Sequence, residues 1–181
     1  MSAPVFVVQR HEATALHYDL RLEIEGVLVS WAVPKGPSLD PGVRRFARRV
    51  GDHDLAHADF EGVAGSSRRH SNSVVVWDTG TYENRSRVAG KAVSAADALG
   101  AGHLVVRLEG SRLHGGFALT RVPTGPRSAR ADAWLLVKVD DEHADRDADL
   151  SGDLPSVLSG RTNAEVAAAE GPDRPLPDPE R

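Results

Sequence analysis

Apolar and polar positions alternate most cleanly from His17 to Ile24. Read as a strand, this stretch puts Tyr18, Leu20, Leu22 and Ile24 on one face and His17, Asp19, Arg21 and Glu23 on the other. The β-forming run Val5-Phe6-Val7-Val8-Gln9 predicts a shorter strand before it, with residues 10–16 as the loop between them. Glu25-Gly26 has the composition of a tight turn, and Val27, Val29, Trp31 and Val33 then alternate with Leu28, Ser30 and Ala32 in a buried strand. Three prolines fix a loop over residues 34–41. Helix and strand periods both fit residues 43–50, and the glycines and prolines that bracket the window favour a strand.

The pattern weakens in the middle of the chain. Residues 51–62 read as a loop with a short helical turn that would put His53 and His57 on one face. Residues 63–73 lack periodicity and are expected to be mobile. Val74 to Trp77 reads as a buried strand ending at a turn, Asp78-Thr79-Gly80, with Thr81 to Glu83 beyond it. Val93 to Leu99 is the best helix, with Ser94 as N-cap and Gly100 as stop. Strands follow at 103–109, 116–121 and 133–139, the first two as a hairpin. Trp31, Trp77 and Trp134 each sit within an apolar strand and read as core. So many short strands with one or two helices imply an all-β sandwich or barrel. Past residue 145 strand periodicity stops, and residues 146–181 read as an acidic, Pro/Ala-rich, largely disordered tail with a short helix near 164–169.

Charge changes this picture in one respect. The chain's formal net charge is -4, but from Asp140 onward 12 acidic residues face 4 arginines, so residues 1–139 carry +4. A mildly basic body fits a polyanionic partner; it also fits an ordinary soluble surface with a solvated tail. The chain has no cysteine, which removes disulfides and thiolate metal sites. It has no run of about 18 apolar residues and no signal-peptide pattern at its N-terminus, so no membrane role is expected.

The candidate chemistry lies on the polar face of the second strand. His11, His17 and Asp19 offer two imidazoles and a carboxylate, a ligand set suited to Mn, Fe or Zn. As a bare pattern it competes with surface histidines, but a row of ionisable groups on an amphipathic strand must be solvated or functional. Arg21 extends the row, Lys35 stands where a strand meets the rigid loop, and Arg44, Arg45, Arg48 and Arg49 add charge that could equally be a solvated face. His53 could contact a phosphate or donate a proton, or could be a turn residue. The same His-x-Asp with a distant His also matches a non-haem iron oxygenase, a reading that gives the cations no task.

The longer motifs are more specific. Phe6-Val7-Val8-Gln9-x-His11, Leu16 to Glu23, Ser30 to Pro41, Asp52-His53 and Ala58 to Gly62 resemble the 3′-phosphoesterase domain of bacterial DNA ligase D, with weaker echoes at Val76 to Gly80, Gly110 to Gly115 and Trp134 to Lys138. The resemblance covers residues 5–145. It implies a mostly β fold, a closed or nearly closed barrel of about eight strands with one or two short flanking helices, as a 3′-phosphoesterase domain over residues 1–145. It implies a Mn²⁺-dependent enzyme, with Zn²⁺ or Co²⁺ as alternatives, that removes a 3′-terminal ribonucleoside and then a 3′-phosphate to leave a 3′-OH in non-homologous end joining. His11, His17 and Asp19 would hold the metal; Arg21, Lys35, Arg45 and His53 would engage the scissile phosphate; Gln9 would sit beside the site; His57 would make a second phosphate contact where the family commonly has Tyr.

The implied partners are DNA 3′ ends on a primer-template and end-joining ligase, polymerase or Ku-type proteins, in the cytoplasm at the nucleoid; a monomer is the default. The chain departs from the family at Gly51, where an acidic residue is common, and at Gly65 to His70. It also lacks an N-terminal arm and ligase or polymerase modules, and is expected to be a stand-alone protein. The alternative is a catalytically silent module that binds DNA ends or a repair complex.

Overall fold

A computed structural model of the chain describes residues 2–65, 72–123 and 132–169. Strands β1 (Val5–Glu12), β2 (Leu16–Ile24), β3 (Val27–Val33) and β4 (Arg45–Asp54) form an antiparallel meander. Its first tight turn places Glu25 at φ 50 and Gly26 at φ 81, left-handed conformations that glycine adopts without strain. A 3-10 helix (Leu55–Asp59), the two-residue β5 (Gly62–Val63) and the long β6 (Ser73–Asn84) follow. A small ribbon, β7 (Arg87–Val88) and β8 (Lys91–Ala92), leads to α1 (Ala95–Ala101). Then come β9 (His103–Glu109), β10 (His114–Arg121), β11 (Ala133–Lys138) and α2 (Asn163–Ala169).

Pairing runs β1-β2-β3-β4-β11-β10-β9-β6, and β6 pairs back onto β1, so eight antiparallel strands close into a barrel; β5 extends β6 at one end. The expected mostly β barrel with two short helices is the observed fold. Its interior takes the apolar face of each strand, including Tyr18, Leu20, Leu22 and Ile24 of β2. Trp31, Trp77 and Trp134 are all buried there, and Trp31 and Trp134 meet edge to face at 5.6 Å.

Several expectations change in detail. β1 continues through Glu12, so His11 is on a strand, directly paired with His17, and not in a loop. β4 likewise runs on to Asp54, so His53 lies on that strand before the 3-10 turn. β6 passes straight through Asp78-Thr79-Gly80, where a turn was expected. The turn-like residues have another task there. Asp78 is buried and accepts hydrogen bonds from the backbone N–H groups of Ser111, Arg112 and Leu113, fixing the turn between β9 and β10. Gly80 is needed because a Cβ there would run into the Glu109 carbonyl. Ser94 caps α1 by accepting from Asp97 N–H, but the stop is Gly102 at φ 82, not Gly100. Residues 66–71 of the stretch expected to be mobile lie outside the described residues.

The largest difference is at the C-terminal side. Residues 146–169, expected to belong to a tail, pack on the barrel with Asn163 and Val166 both buried completely. Asn163 is the anchor. Its Oδ1 accepts from Arg10 Nη1 at 2.8 Å, and its Nδ2 donates to the Arg10 and Ser73 carbonyls at 3.1 and 2.9 Å. Asp153 adds an ion pair to the same buried Arg10 at 3.1 Å. A polar residue among Asp, Ala and Ser gives no periodic signal, because what it bonds to is 153 residues away.

Asn163→Ala leaves the Arg10 guanidinium short of a partner inside the fold, and buried polar groups without partners cost about 1–3 kcal/mol each. Urea denaturation should show a loss of about 3 kcal/mol with an unchanged m-value; a wild-type midpoint would contradict the anchoring role. Lys138 and Asp141 give a second expectation. The Lys138 ammonium is fully buried and donates to Asp141 Oδ1 at 2.6 Å. Burial pushes the Asp141 carboxyl up, but the bonds from Lys138, Gly116 N–H and His143 N–H outweigh it and hold it at about 2. A carboxyl depressed in the folded state contributes stability that is present above its unfolded value near 3.8 and lost as pH falls toward about 2. Asp141→Asn should therefore lower stability by about 3 kcal/mol at pH 7 and flatten the acid limb of the stability curve between pH ~4 and ~2.

Candidate metal and phosphate site

The site is on the outside of the barrel wall, where β1, β2 and β3 pass beneath the 3-10 helix. Gln9 pairs with Asp19, His11 with His17, and Arg21 with Ser30, and directly opposed residues of a sheet share a face. The outward residues of three strands therefore meet: Gln9 and His11, then His17, Asp19 and Arg21, then Ser30. Gln9 and Ser30 are completely buried although they face outward, because the chain from His57 to Phe60 lies across them.

Arg21 is the centre of the cluster. It is 4% exposed, and each arm of its guanidinium has a partner on a different strand. Nε donates to Gln9 Oε1 at 2.6 Å, Nη1 donates to Ser30 Oγ at 2.9 Å and to His53 Nδ1 at 3.1 Å, and Nη2 lies 3.5 Å from Asp19 Oδ2. Burial works against this cation, and the charge of Asp19 supports it. Gln9 links the guanidinium to the covering segment by donating Nε2 to the His57 and Phe60 carbonyls at 2.9 and 3.1 Å.

His11, His17 and Asp19 come together beside it. One ligand atom from each lies within 4.8 Å of the other two. His17 Nε2 is 3.3 Å from Asp19 Oδ2, and its Nδ1 is 3.2 Å from the Ala15 carbonyl. His11 places Nε2 2.5 Å from Asn72 Oδ1 and Nδ1 3.9 Å from Asp19 Oδ2. With Nδ1 of His17 and Nε2 of His11 donating to those oxygens, each ring turns a lone pair toward the Asp19 carboxylate. Lone pairs converging on a carboxylate need a proton or a cation between them. The two rings answer differently. The Asp19 bond raises the His17 pKa, whereas burial lowers that of His11. Burial pushes Asp19 up, but the His17 bond and the Arg21 charge outweigh it, and the carboxyl stays ionised below its usual range. Two neutral-capable imidazoles and an anionic carboxylate, each with an outer hydrogen bond, fit a divalent metal.

The histidines of the second group stack. His53 and His57 rings are 4.7 Å apart, and His57 lies flat on Phe60 at 5.0 Å and 13°. His53 Nδ1 lies 3.1 Å from Arg21 Nη1 and 3.1 Å from the Gly51 carbonyl, and in the tautomer that accepts from Arg21 the proton is on Nε2 and free to donate. Burial, and after it the charge of Arg21, keeps the His57 ring neutral more readily than a free imidazole.

Lys35 and Arg45 are elsewhere. They line a hollow of about 80 Å³ with Tyr18, Ser38, Trp77 and Leu150, on the interior-facing side of β2. Neither has a hydrogen bond or ion pair with the Arg21 cluster. Arg45 Nε and Trp77 Nε1 are buried there without a partner among the described residues. Two residues with structural tasks in the site were not anticipated. Ser30 was legible as the one hydroxyl in an otherwise apolar strand. Asn72 had no signal, because it reaches His11 from a stretch without periodicity.

Residues 9–121, more than half of the chain, match a family described as the DNA ligase D 3′-phosphoesterase domain. A multifunctional non-homologous end joining protein LigD of Pseudomonas aeruginosa is 42% identical over 160 residues, covering 87% of this chain and 18% of that protein. The corresponding DNA repair protein LigD of Mycobacterium tuberculosis is 33% identical over 165 residues, 91% of this chain and 20% of the other. That of Mycolicibacterium smegmatis is 33% identical over 147 residues, 81% and 18%. The chain thus spans about a fifth of the length of these relatives.

Gln9→Ala removes the link between Arg21 and the covering segment and takes a partner from buried Arg21 Nε and from the Phe60 carbonyl, while the His57 carbonyl keeps the Phe60 N–H. Urea denaturation should show a loss of about 3 kcal/mol, and the His57 and Phe60 amides should gain hydrogen exchange. Protection equal to wild type would show that Gln9 does not hold this segment.

Proposed function

This chain belongs to the DNA ligase D 3′-phosphoesterase domain family, and from that premise we propose that it heals DNA 3′ ends for non-homologous end joining, removing a terminal ribonucleoside or 3′-phosphate to leave a 3′-OH. The observation that supports this most is the convergence of His11, His17 and Asp19 beside the fixed, buried guanidinium of Arg21. Metal ligands and a phosphate-binding cation in one cluster suit a phosphoester.

His11, His17 and Asp19 would hold a divalent ion, Mn²⁺ first and Zn²⁺ or Co²⁺ as alternatives, and that ion would supply Lewis-acid polarisation of a phosphate oxygen. The chain's own groups do the rest. Arg21 is preorganised by Gln9 and Ser30, so it offsets charge on the phosphate with little reorganisation. His53, with Nδ1 taken by Arg21, presents Nε2–H to a phosphate or leaving oxygen. His57, neutral and stacked on Phe60, supplies the second contact. The family resemblance assigns Lys35 and Arg45 to the phosphate as well, and in this structure they line the hollow beside Tyr18. The oxygenase reading gives the Arg21 cluster no task. In this reading the protein works on DNA ends with end-joining ligase, polymerase or Ku-type proteins; no helix among the described residues is long and apolar enough to cross a membrane.

A primer-template bearing one 3′-terminal ribonucleotide or a 3′-phosphate, incubated with Mn²⁺, should be converted to a 3′-OH end, and chelator should stop it. His17→Ala and Asp19→Ala should each lose about 100-fold or more in rate. Binding of the DNA without product under Mn²⁺, Zn²⁺ and Co²⁺ would replace the enzyme by a silent end-binding module.

A further inference from the structure

The outer wall of the barrel carries another set of side chains in register with the site. Asp19 pairs with Ala32, and Ala32 pairs with Arg48 of β4. Arg48 therefore stands in the same cross-strand row as Asp19, two strand spacings or ~10 Å away. Period two puts Phe46 and Arg44 outward with it, and the inward residues confirm the phase: Ala47 is fully buried and Arg49 lies over the Trp31 ring at 5.5 Å. β2 and β4 run in the same direction, so Phe46 and Arg44 step from the level of Asp19 to that of His17 and beyond. Ala32, a small side chain, is all that separates Asp19 from Arg48 in this row.

An exposed apolar side chain by itself needs no explanation. Here three features coincide. Phe46 is 49% exposed and is the one aromatic among the exposed large hydrophobics of the described residues. Arg44 and Arg48 on either side of it are exposed and have no ion-pair or hydrogen-bond partner among the described residues, while the inward Arg49 pairs with Asp52. At Arg48 the strand is paired on both sides, with Ala32 of β3 and Ala133 of β11, and Phe46 is paired with Leu135 of β11, while Arg44 immediately precedes the strand.

We propose that Arg48, Phe46 and Arg44 form a track for the strand whose 3′ end occupies the site, the arginines on its phosphates and the ring on a base or sugar. This rests on the phosphoesterase reading above. The span from Arg48 to Arg44 is ~13 Å, the axial rise of about four nucleotides at ~3.4 Å each. Because this span runs at right angles to the ~10 Å between Asp19 and Arg48, Arg44 is ~17 Å from Asp19, and the track begins at about the third nucleotide from the end and reaches at least the fifth. Free cations at that spacing are complementary to a polyanion and to no apolar partner.

The test compares Arg44→Ala/Arg48→Ala and Phe46→Ala with wild type on two 3′-phosphate substrates, a primer of twelve nucleotides on a template and a dinucleotide too short to reach β4. On the primer the double variant should raise KM about tenfold with kcat unchanged, and on the dinucleotide it should match wild type. Binding of the primer in chelator, followed by fluorescence anisotropy against salt, should show the log–log slope reduced by about 1.5–2 in the double variant. Phe46→Ala should weaken binding by about 5- to 100-fold with the slope kept. Thermal melting of both variants at the wild-type midpoint checks folding, and is expected for exposed side chains. Wild-type slope and wild-type KM on the primer would overturn the track. If wild type converts neither substrate under Mn²⁺, the phosphoesterase reading fails, and the salt slopes still decide whether this surface carries the strand.

Discussion

The buried guanidinium of Arg21 is the constraint on which the site depends. A cation removed from water must have its hydrogen bonds and charge answered within the protein, and here the answers come from four strands: Gln9 of β1, Asp19 of its own β2, Ser30 of β3 and His53 of β4. Satisfying them all fixes the relative register of those strands. A slip of one residue in any of them would turn a partner to the opposite face of the sheet and leave the charge stranded. The register that suits Arg21 is also the one that sets His11 opposite His17 and Gln9 opposite Asp19. The proposed metal ligands and the cation proposed for the phosphate are thus positioned by a single set of pairings.

Much of this was legible in the chain because the informative segment is local. Period two along β2 separates the core residues from His17, Asp19 and Arg21 without reference to anything distant. The same holds for the Glu25-Gly26 turn and for Ser94 as a cap. What failed to be legible depended on distant partners. His11 was placed in a loop because pairing with both β2 and β6 is what extends β1 past Gln9. Asp78 and Gly80 carry the composition of a turn, yet one holds a different turn and the other makes room for a neighbouring strand. Lys35 and Arg45 share a hollow with Leu150, a neighbour more than a hundred residues on that no local period signals.

The acidic C-terminal segment shows how a charge pattern can mislead. Its carboxylates were counted as solvated, but Asp153 meets the buried Arg10 and Asp141 meets the buried Lys138. Arg146 pairs with Asp40 across the same surface at 3.0 Å. Part of the apparent excess of negative charge is therefore internal compensation for cations of the barrel. The outer surface around Asp19 and Arg48 is correspondingly more available to a polyanion than the overall sum suggests.

The bond between Arg10 and Asn163 also sets an order of events. Arg10 lies between Gln9 and His11 in β1, and its clamp is 153 residues later in the chain. At roughly 5–20 residues per second, the strand that carries a metal ligand waits about 8–30 s before the segment that secures it has been made. Through that interval Arg10 has Glu12 but lacks Asp153 and Asn163, although β2 and β6, the strands that pair with β1, have already been made. The clamp is therefore a late addition to a strand already paired on both sides, and it secures β1 without being needed to form it.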